Sequence, residues 1–297
     1  MKKYIPILQW ISKYSQSFLK QDALAGITVG IVLIPQGIAY ALIAGLPPIY
    51  GLYTALIPQI VYALLGTSPK VAVGPVAMDS LLVAAGIASI ATTGTENTIA
   101  IAILLAFLVG LTQFLLGVFR LGFIVNFLSK PVISGFTSAA AMIIGINQFQ
   151  NFFGIQIPRS NRVYEVVRYF FEEITSINWQ TFGIGAVAVM LLFLFKRIHK
   201  SIPGPLVVVV CGILLLKFFN NSFDEVAIIK DIPSGLPSFA VPDFNFQQFS
   251  EIIPIALTIA MIGFLETVSI GKSLESNEDV IHVKPNQELI AIGLGNI

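Results

Sequence analysis

Charge is what this sequence has least of. Only 11% of its 297 residues are Asp, Glu, Lys or Arg, where a soluble domain carries about 25%. Hydrophobic residues make up 56%, and mean hydropathy is +0.85. That balance describes a polytopic membrane protein and excludes an ordinary water-soluble domain. The 17 Lys and Arg nearly cancel the 16 Asp and Glu, leaving a net charge of +1. Nucleic acid is therefore not an expected partner, because phosphate binding needs a basic patch. Cysteine is nearly absent too. Cys211, the only one, lies in the run VVVVCGILLL and can form no internal disulfide. Two unclustered histidines give no metal-site spacing, and no cofactor is implied. HExxH, GxSxG and P-loop motifs are all missing, so an enzyme is not expected. The N-terminal MKKYIPILQWISKYSQSFLK is amphipathic and has no small-residue cleavage site. It is expected to be retained and to lie on the membrane surface.

What the chain does have is long apolar runs. A spanning helix needs roughly 20 mostly apolar residues. The pattern predicts spans at Ala23–Leu46, Ile49–Leu65, Ile99–Phe119, Pro131–Phe153, Trp179–Phe195, Ile202–Phe219 and Ile252–Ile270. Val76–Ile90 is predicted to be a shorter helix. At about 1.5 Å per residue it reaches only roughly 22 Å, less than a hydrocarbon core of about 30 Å. A ninth apolar segment opens at Leu289. Because Ile297 falls inside it, the chain is read as part of a longer protein. Residues 1–22 form a cytoplasmic segment in this reading and 23–297 a transporter domain. With the N-terminus in the cytoplasm, twelve Lys and Arg lie inside and five outside, together the 17 of the chain. The positive-inside rule then favours that orientation, in a cell membrane.

Two extramembrane stretches stand apart. Asn161–Ile174 has apolar residues at helical spacing and reads as an interfacial helix, with a regulatory site as the alternative. Asn220–Ser250 carries Pro233, Pro237 and Pro242 and reads as an ordered external loop. Asn220-Asn221-Ser222 fits the glycosylation pattern weakly.

Polar residues inside the spans are the candidates for function. Gly26, Gly30, Gly37, Ala41 and Gly45 form a small-residue stripe for close helix approach. Gln36 follows Pro35, which loosens the preceding turn, and Tyr40 lies one turn on along the same face. Gln36 and Tyr40 can donate to an anion, or Gln36 can simply bond a neighbouring helix. Next, KVAV reads as a short extended strand, and Gly74-Pro75 breaks the chain. Pro75 suits the first turn of a helix. The first amides of that helix, at Val76, Ala77 and Met78, lack internal partners and carry partial positive charge. This is an anion site built from backbone, unless it is an ordinary packed helix start. Two carboxylates are predicted within the spans, Asp79 and Glu266. Each is expensive there and suggests function. Glu266, beside the small stripe Ala256, Ala260, Gly263 and Thr267, is the candidate proton-coupling group or else a structural hydrogen bond. Asp79 is open between a structural role and the same proton chemistry.

At these residues the chain resembles the SulP family of inorganic anion transporters. The matching stretches are DALAGITVGIVLIPQGIAYALIAGLPPIYGLY, KVAVGPVA, LGFIVNFLSKPVISGFTSAAA, GFLETVSIGKSLE and NQELIAIGLGNI. The resemblance implies an all-α fold of fourteen helices in two inverted repeats of seven, with a cytoplasmic STAS domain after them. This chain would hold the first repeat, the eighth helix and the start of the ninth. The half-helix that faces Val76–Ile90 would lie beyond Ile297. Gln36 and Tyr40 match the family's polar and aromatic site positions, and Val76 and Ala77 match its half-helix start. Glu266 matches the glutamate of proton-coupled members. Ile270 stands where some sodium-dependent bicarbonate members have Thr, which counts against a sodium site. The implied function is proton-coupled sulfate uptake. The alternatives are a bicarbonate or chloride carrier or exchanger, an anion channel, and a nucleobase carrier of the same architecture. A homodimer in the lipid bilayer is the implied assembly.

Overall fold

The computed structural model describes residues 5–11, 14–90, 95–127, 148–155, 157, 163–198, 204–219, 226, 235–237, 246–275 and 282–297, with scattered positions between 131 and 146. The principal helices are α1 (Gln16–Ala44), α2 (Pro48–Leu65), α3 (Ala77–Ile90), α4 (Thr95–Val118), α5 (Val163–Glu172), α6 (Trp179–Ile198), α7 (Gly204–Phe218), α8 (Phe246–Leu274) and α9 (Pro285–Asn296). No strand occurs among the described residues. Among the described residues, five helices are long and apolar enough to cross a membrane: α1, α2, α4, α6 and α8. α3 and α7 are apolar but shorter.

Local chemistry explains the ends. The Ser15 side chain accepts from Phe18 N at 3.3 Å and caps the start of α1. Gly45, in the left-handed region at φ 80°, ends it. Leu46 N then returns to Ala41 O at 2.9 Å, closing the last turn. Pro48 and Pro285 occupy first-turn positions of α2 and α9, where a missing N–H costs nothing.

Several expectations shift. α1 begins at Gln16, seven residues ahead of the predicted Ala23, and takes in part of the N-terminal segment. It runs through Pro35 without ending. KVAV forms no strand, because no neighbouring extended segment is there to pair with it among the described residues. α3 begins at Ala77 rather than Val76, so Pro75 lies ahead of the first helical turn. The small stripe of α1 divides by role. Gly37 and Ala41 meet Gly51 of α2, Gly45 is the cap, and Gly26 and Gly30 have nothing within 4 Å. The span Pro131–Phe153 lies outside the described residues except for scattered positions and a short helix, Phe149–Phe153. Most of the Asn220–Ser250 loop, with Asn220-Asn221-Ser222, lies outside them too.

The described chain divides into two compact units. One comprises residues 26–35 and 134–232. Within it, Val166 of α5 is buried with Ile155 and Ile157, and Phe170 packs beside them. On the opposite face, Arg168 Nε donates to Glu172 Oε1 at 2.7 Å. The apolar side of this predicted interfacial helix is thus covered in part by protein. α6 in the same unit exposes Met190 and Phe193, as a lipid-facing helix does.

The other unit comprises residues 1–25, 36–133 and 233–297. Its core has two parts, and α8 contributes to both. Ile252, Ala256, Ile259 and Ala260 pack on Ile87 of α3 and on Ile101, Leu104, Leu105, Leu108 and Val109 of α4. Phe264 and Val268 pack on Tyr62 of α2 and on Leu289, Ala291 and Ile292 of α9. Lipid tails are as apolar as leucine, so apolar burial alone does little to drive helices together there. Close packing must do it. Glycines supply that packing where α4 meets α9. A Cβ on Gly110 would lie 2.6 Å from Gly293 O, and one on Gly293 would lie 2.8 Å from Gly110 O.

Because the obstructing atoms are backbone, neither helix can yield cheaply. Gly110→Ala and Gly293→Ala are each expected to destabilise the purified protein by about 1–3 kcal/mol. Gly183→Ala, whose added methyl meets nothing within 4 Å, is expected to be neutral or slightly stabilising. Thermal unfolding of the three variants in one detergent checks the contrast. Equal losses at all three positions would contradict it.

Candidate functional site

The site begins where α2 stops. Gly66 N donates back to Tyr62 O at 2.7 Å, and the chain then runs irregularly to Val76. Buried irregular backbone must find partners within the protein. Here α9 provides them. Glu288, 1% exposed, accepts from Thr67 N at 2.7 Å and from Tyr62 OH at 2.7 Å, and also from the Thr67 hydroxyl. Gln287 Nε2 donates to Leu65 O at 2.9 Å, and Lys284 N to Thr67 Oγ1 at 3.0 Å. Three donors thus converge on this one buried carboxyl group.

Held in this way, the chain delivers Val73-Gly74-Pro75-Val76 to the wall of a cavity of about 350 Å³. Ser80 N donates to Val76 O at 3.1 Å, the first bond of the α3 ladder. The amides of Val76, Ala77, Met78 and Asp79 therefore lie ahead of that ladder. They carry the positive end of the helix dipole. Other walls come from Tyr40 of α1, Tyr50 and Thr54 of α2, Gln113 of α4, Gly263, Glu266, Thr267 and Ile270 of α8, and Asn296 of α9. All of these belong to a single compact unit.

The predicted residues are distributed unevenly. Tyr40, Val76, Asp79 and Glu266 line the cavity. Ala77 and Met78 do not contribute to its wall, although their amides stand in the first turn of α3. Gln36 is not in the wall either. Its Nε2 donates to Tyr40 OH at 3.1 Å, so it positions the tyrosine. The physical reason is helical geometry: Gln36 lies one turn back, where Gly37 presses α1 against Gly51 of α2.

Other polar residues went unread in the sequence. Glu288 is buried, whereas Asp79 and Glu266, the two carboxylates predicted for the spans, are half-buried. Gln113, 2% exposed, donates to Ala260 O at 3.1 Å and accepts from Asn296 Nδ2 at 2.9 Å. It ties α4, α8 and α9 together at the cavity. The signal was available: Gln113 interrupts an apolar run much as Gln36 does. Opposite it, the absence of a side chain at Gly263 opens the wall. A Cβ there would lie 3.5 Å from both Asp79 Oδ2 and Gln113 Nε2. Asp79 and Glu266 are near enough to interact electrostatically.

Comparison with known proteins adds the following. Residues 19–297 match the model of the Sulfate permease family. The chain is 38% identical over 301 residues to sulfate transporter 4.1, chloroplastic, of Arabidopsis thaliana, covering 98% of this chain and 43% of that protein. It is 35% identical over 332 residues to the sodium-independent sulfate anion transporter of Bos taurus, covering 100% of this chain and 53% of that one. Among solved structures it resembles the murine Solute Carrier 26 family member A9 anion transporter in its inward-facing state. That match has a TM-score of 0.89 at 26% identity, over 99% of this chain and 52% of that one. The transmembrane domain of a cyanobacterium bicarbonate transporter, BicA, gives 0.82 at 25% identity, over 94% and 70%. The chain spans about half the length of the curated relatives it matches. It shares with these structures the all-helical fold of two inverted seven-helix repeats, to which its helices contribute the first part.

The cavity makes a direct expectation. With the exposed Cys211 replaced by serine, a cysteine at Val76 or Thr267 is expected to react with a small hydrophilic thiol reagent. A cysteine at Val268, 1% exposed in the core, is expected to stay unmodified in the folded protein. Rates of labelling in membranes check this. Equal rates at Thr267 and Val268 would contradict the placement of the cavity.

Proposed function

The chain belongs to the sulfate permease family, one of membrane transporters and not of enzymes, and on that premise we propose that the protein carries an inorganic anion across a cell membrane with protons, sulfate before others. The observation that carries this reading is the meeting, in one cavity wall, of a helix start and a carboxylate. An oxyanion suits the amides of Val76, Ala77 and Met78, because backbone donors and the helix dipole bind negative charge without a buried Lys or Arg. Tyr40, held by Gln36, supplies a hydroxyl from the facing helix.

Glu266 is the coupling group in this account, and Asp79 is a second carboxylate on the same wall. An anion and a bare carboxylate repel in a low-dielectric cavity, so the anion enters with a proton on the acid. A channel has no use for such a group. The twelve-to-five distribution of Lys and Arg supports a cytoplasmic N-terminus. Sulfate-transporting relatives favour sulfate as the cargo, and a homodimer is the assembly proposed for the whole protein.

Bicarbonate is the second reading, supported by the likeness to BicA. Ile270, in the cavity wall one turn after Glu266, offers no oxygen to a sodium ion. A sodium-driven version of that reading is the less favoured one.

The test uses the protein at its full natural length in liposomes. Wild-type sulfate uptake is expected to rise as external pH falls, because protonated Glu266 is the form that accompanies the anion. Glu266→Gln mimics that form permanently. It is expected to retain sulfate exchange and lose most of the acid acceleration. A mutant with unchanged pH dependence would place coupling on another group.

A further inference from the structure

Glu288 lies outside the cavity wall, as do its partners Tyr62 and Thr67. The backbone that reaches the wall is nevertheless hung from them. The connection from α2 to α3 enters the wall at Val71 and stays in it through Val76. It has no helix or strand ladder of its own, so its course is set by the contacts it makes with other elements. Two anchors stand near its beginning. Glu288 Oε1 accepts from both the amide and the hydroxyl of Thr67, while Glu288 Oε2 accepts from Tyr62 OH. Lys70 Nζ donates to Leu274 O, at the end of α8, at 2.9 Å.

The two anchors differ in burial. The Lys70 bond is exposed to solvent, and water can replace it. Glu288 and Thr67 are 1% and 2% exposed, and there a lost acceptor leaves its donors stranded. The surroundings are also fitted to this side chain. The Tyr62 ring lies against Gly66, where an added Cβ would be 2.7 Å from the ring, and this contact holds its hydroxyl on Glu288. Thr67 Oγ1 donates to Glu288 and accepts from Lys284 N at 3.0 Å. One carboxyl group thus joins the end of α2, the first residues of the connection and the start of α9.

We propose that Glu288 is a positioning residue for anion binding. As an acceptor for Thr67 and Tyr62 it sets the path of residues 66–76, and through that path the affinity of the cavity for an oxyanion. It acts without touching the substrate. This rests on the cavity being the anion path.

An acceptor role has its own signature. Glutamine still offers Oε1 to both Thr67 donors, and its Nε2 can donate to the Tyr62 oxygen once that hydroxyl turns. Leucine, of similar size, offers nothing. The full-length protein is placed in liposomes, and sulfate uptake gives KM and maximal rate. In parallel, with its native cysteines replaced and a cysteine at Val76, the sulfate concentration that half-protects this thiol from a hydrophilic reagent reads binding directly. Glu288→Leu is expected to raise KM and the half-protecting concentration about tenfold with little change in maximal rate, the pattern of lost binding. Glu288→Gln is expected to restore both to within about threefold of wild type. A merely structural role would instead lower the maximal rate, through fewer folded carriers, at unchanged KM. Tyr62→Phe removes one donor and is expected to raise both quantities about threefold; it carries the test where the leucine variant does not fold. Unchanged half-protection in the leucine and phenylalanine variants overturns the proposal. Equal damage from glutamine and leucine overturns the acceptor role. A wild type that takes up sulfate without protection at Val76 overturns the cavity as the anion path, and this proposal with it.

Discussion

Glu288 accepts hydrogen bonds from Tyr62, from the Thr67 amide and from the Thr67 hydroxyl, at the point where the chain leaves α2. Everything beyond that point is irregular until α3 begins. Unsatisfied amides and carbonyls in that stretch would each cost on the order of 1–3 kcal/mol. The N-terminal turn of α9 fixes the beginning of the stretch and thereby decides where α3 can start. Val76, just ahead of α3, and Asp79 in its first turn line the cavity for this reason and not because the helix is itself unusual. Glu288 also shows that a buried carboxyl group can be structural here. Its value lies in the donors it satisfies, and removing it would strand all of them.

The same economy runs through the walls. Among the described residues no lysine, arginine or histidine lines the cavity, so this part of its wall offers backbone dipoles, hydroxyls and amides. α8 packs apolar residues into both halves of the core and presents Gly263, Glu266 and Thr267 to the cavity. Thr267 Oγ1 donates to Gly263 O at 2.9 Å, so its proton is engaged within α8. Gln113 braces α8 through Ala260 O and so holds that face in register with α4.

Much of this was legible in the sequence, for identifiable reasons. Apolar run length placed α2, α4 and α6 closely. The Gly74-Pro75 break located α3 to within one residue. Tyr40, Val76, Asp79 and Glu266 were readable because a polar or broken position inside an apolar run is conspicuous. Gln36 lies outside the cavity wall and bonds Tyr40, since sequence spacing gives a helix face but not which neighbour that face meets. The extended segment KVAV was taken for a strand because β-branched composition says nothing about a pairing partner. Glu288 escaped notice for a different reason. It precedes its apolar segment by one residue and looks like a solvated first-turn acid, and only tertiary contact with Thr67 and Tyr62 buries it. The tight contact between Gly110 and Gly293 was equally invisible, since it joins residues far apart in the chain.

The central claim is that the α3 amides bind the anion. Selenate has the shape and charge of sulfate and carries an anomalous scatterer. Anomalous diffraction from crystals of the full-length protein soaked in selenate would locate the ion without assumption. The account predicts a peak inside the cavity, within hydrogen-bond distance of the amides of Ala77 and Met78 and beside Tyr40. A selenate site elsewhere, with this cavity vacant under saturating ion, would contradict it.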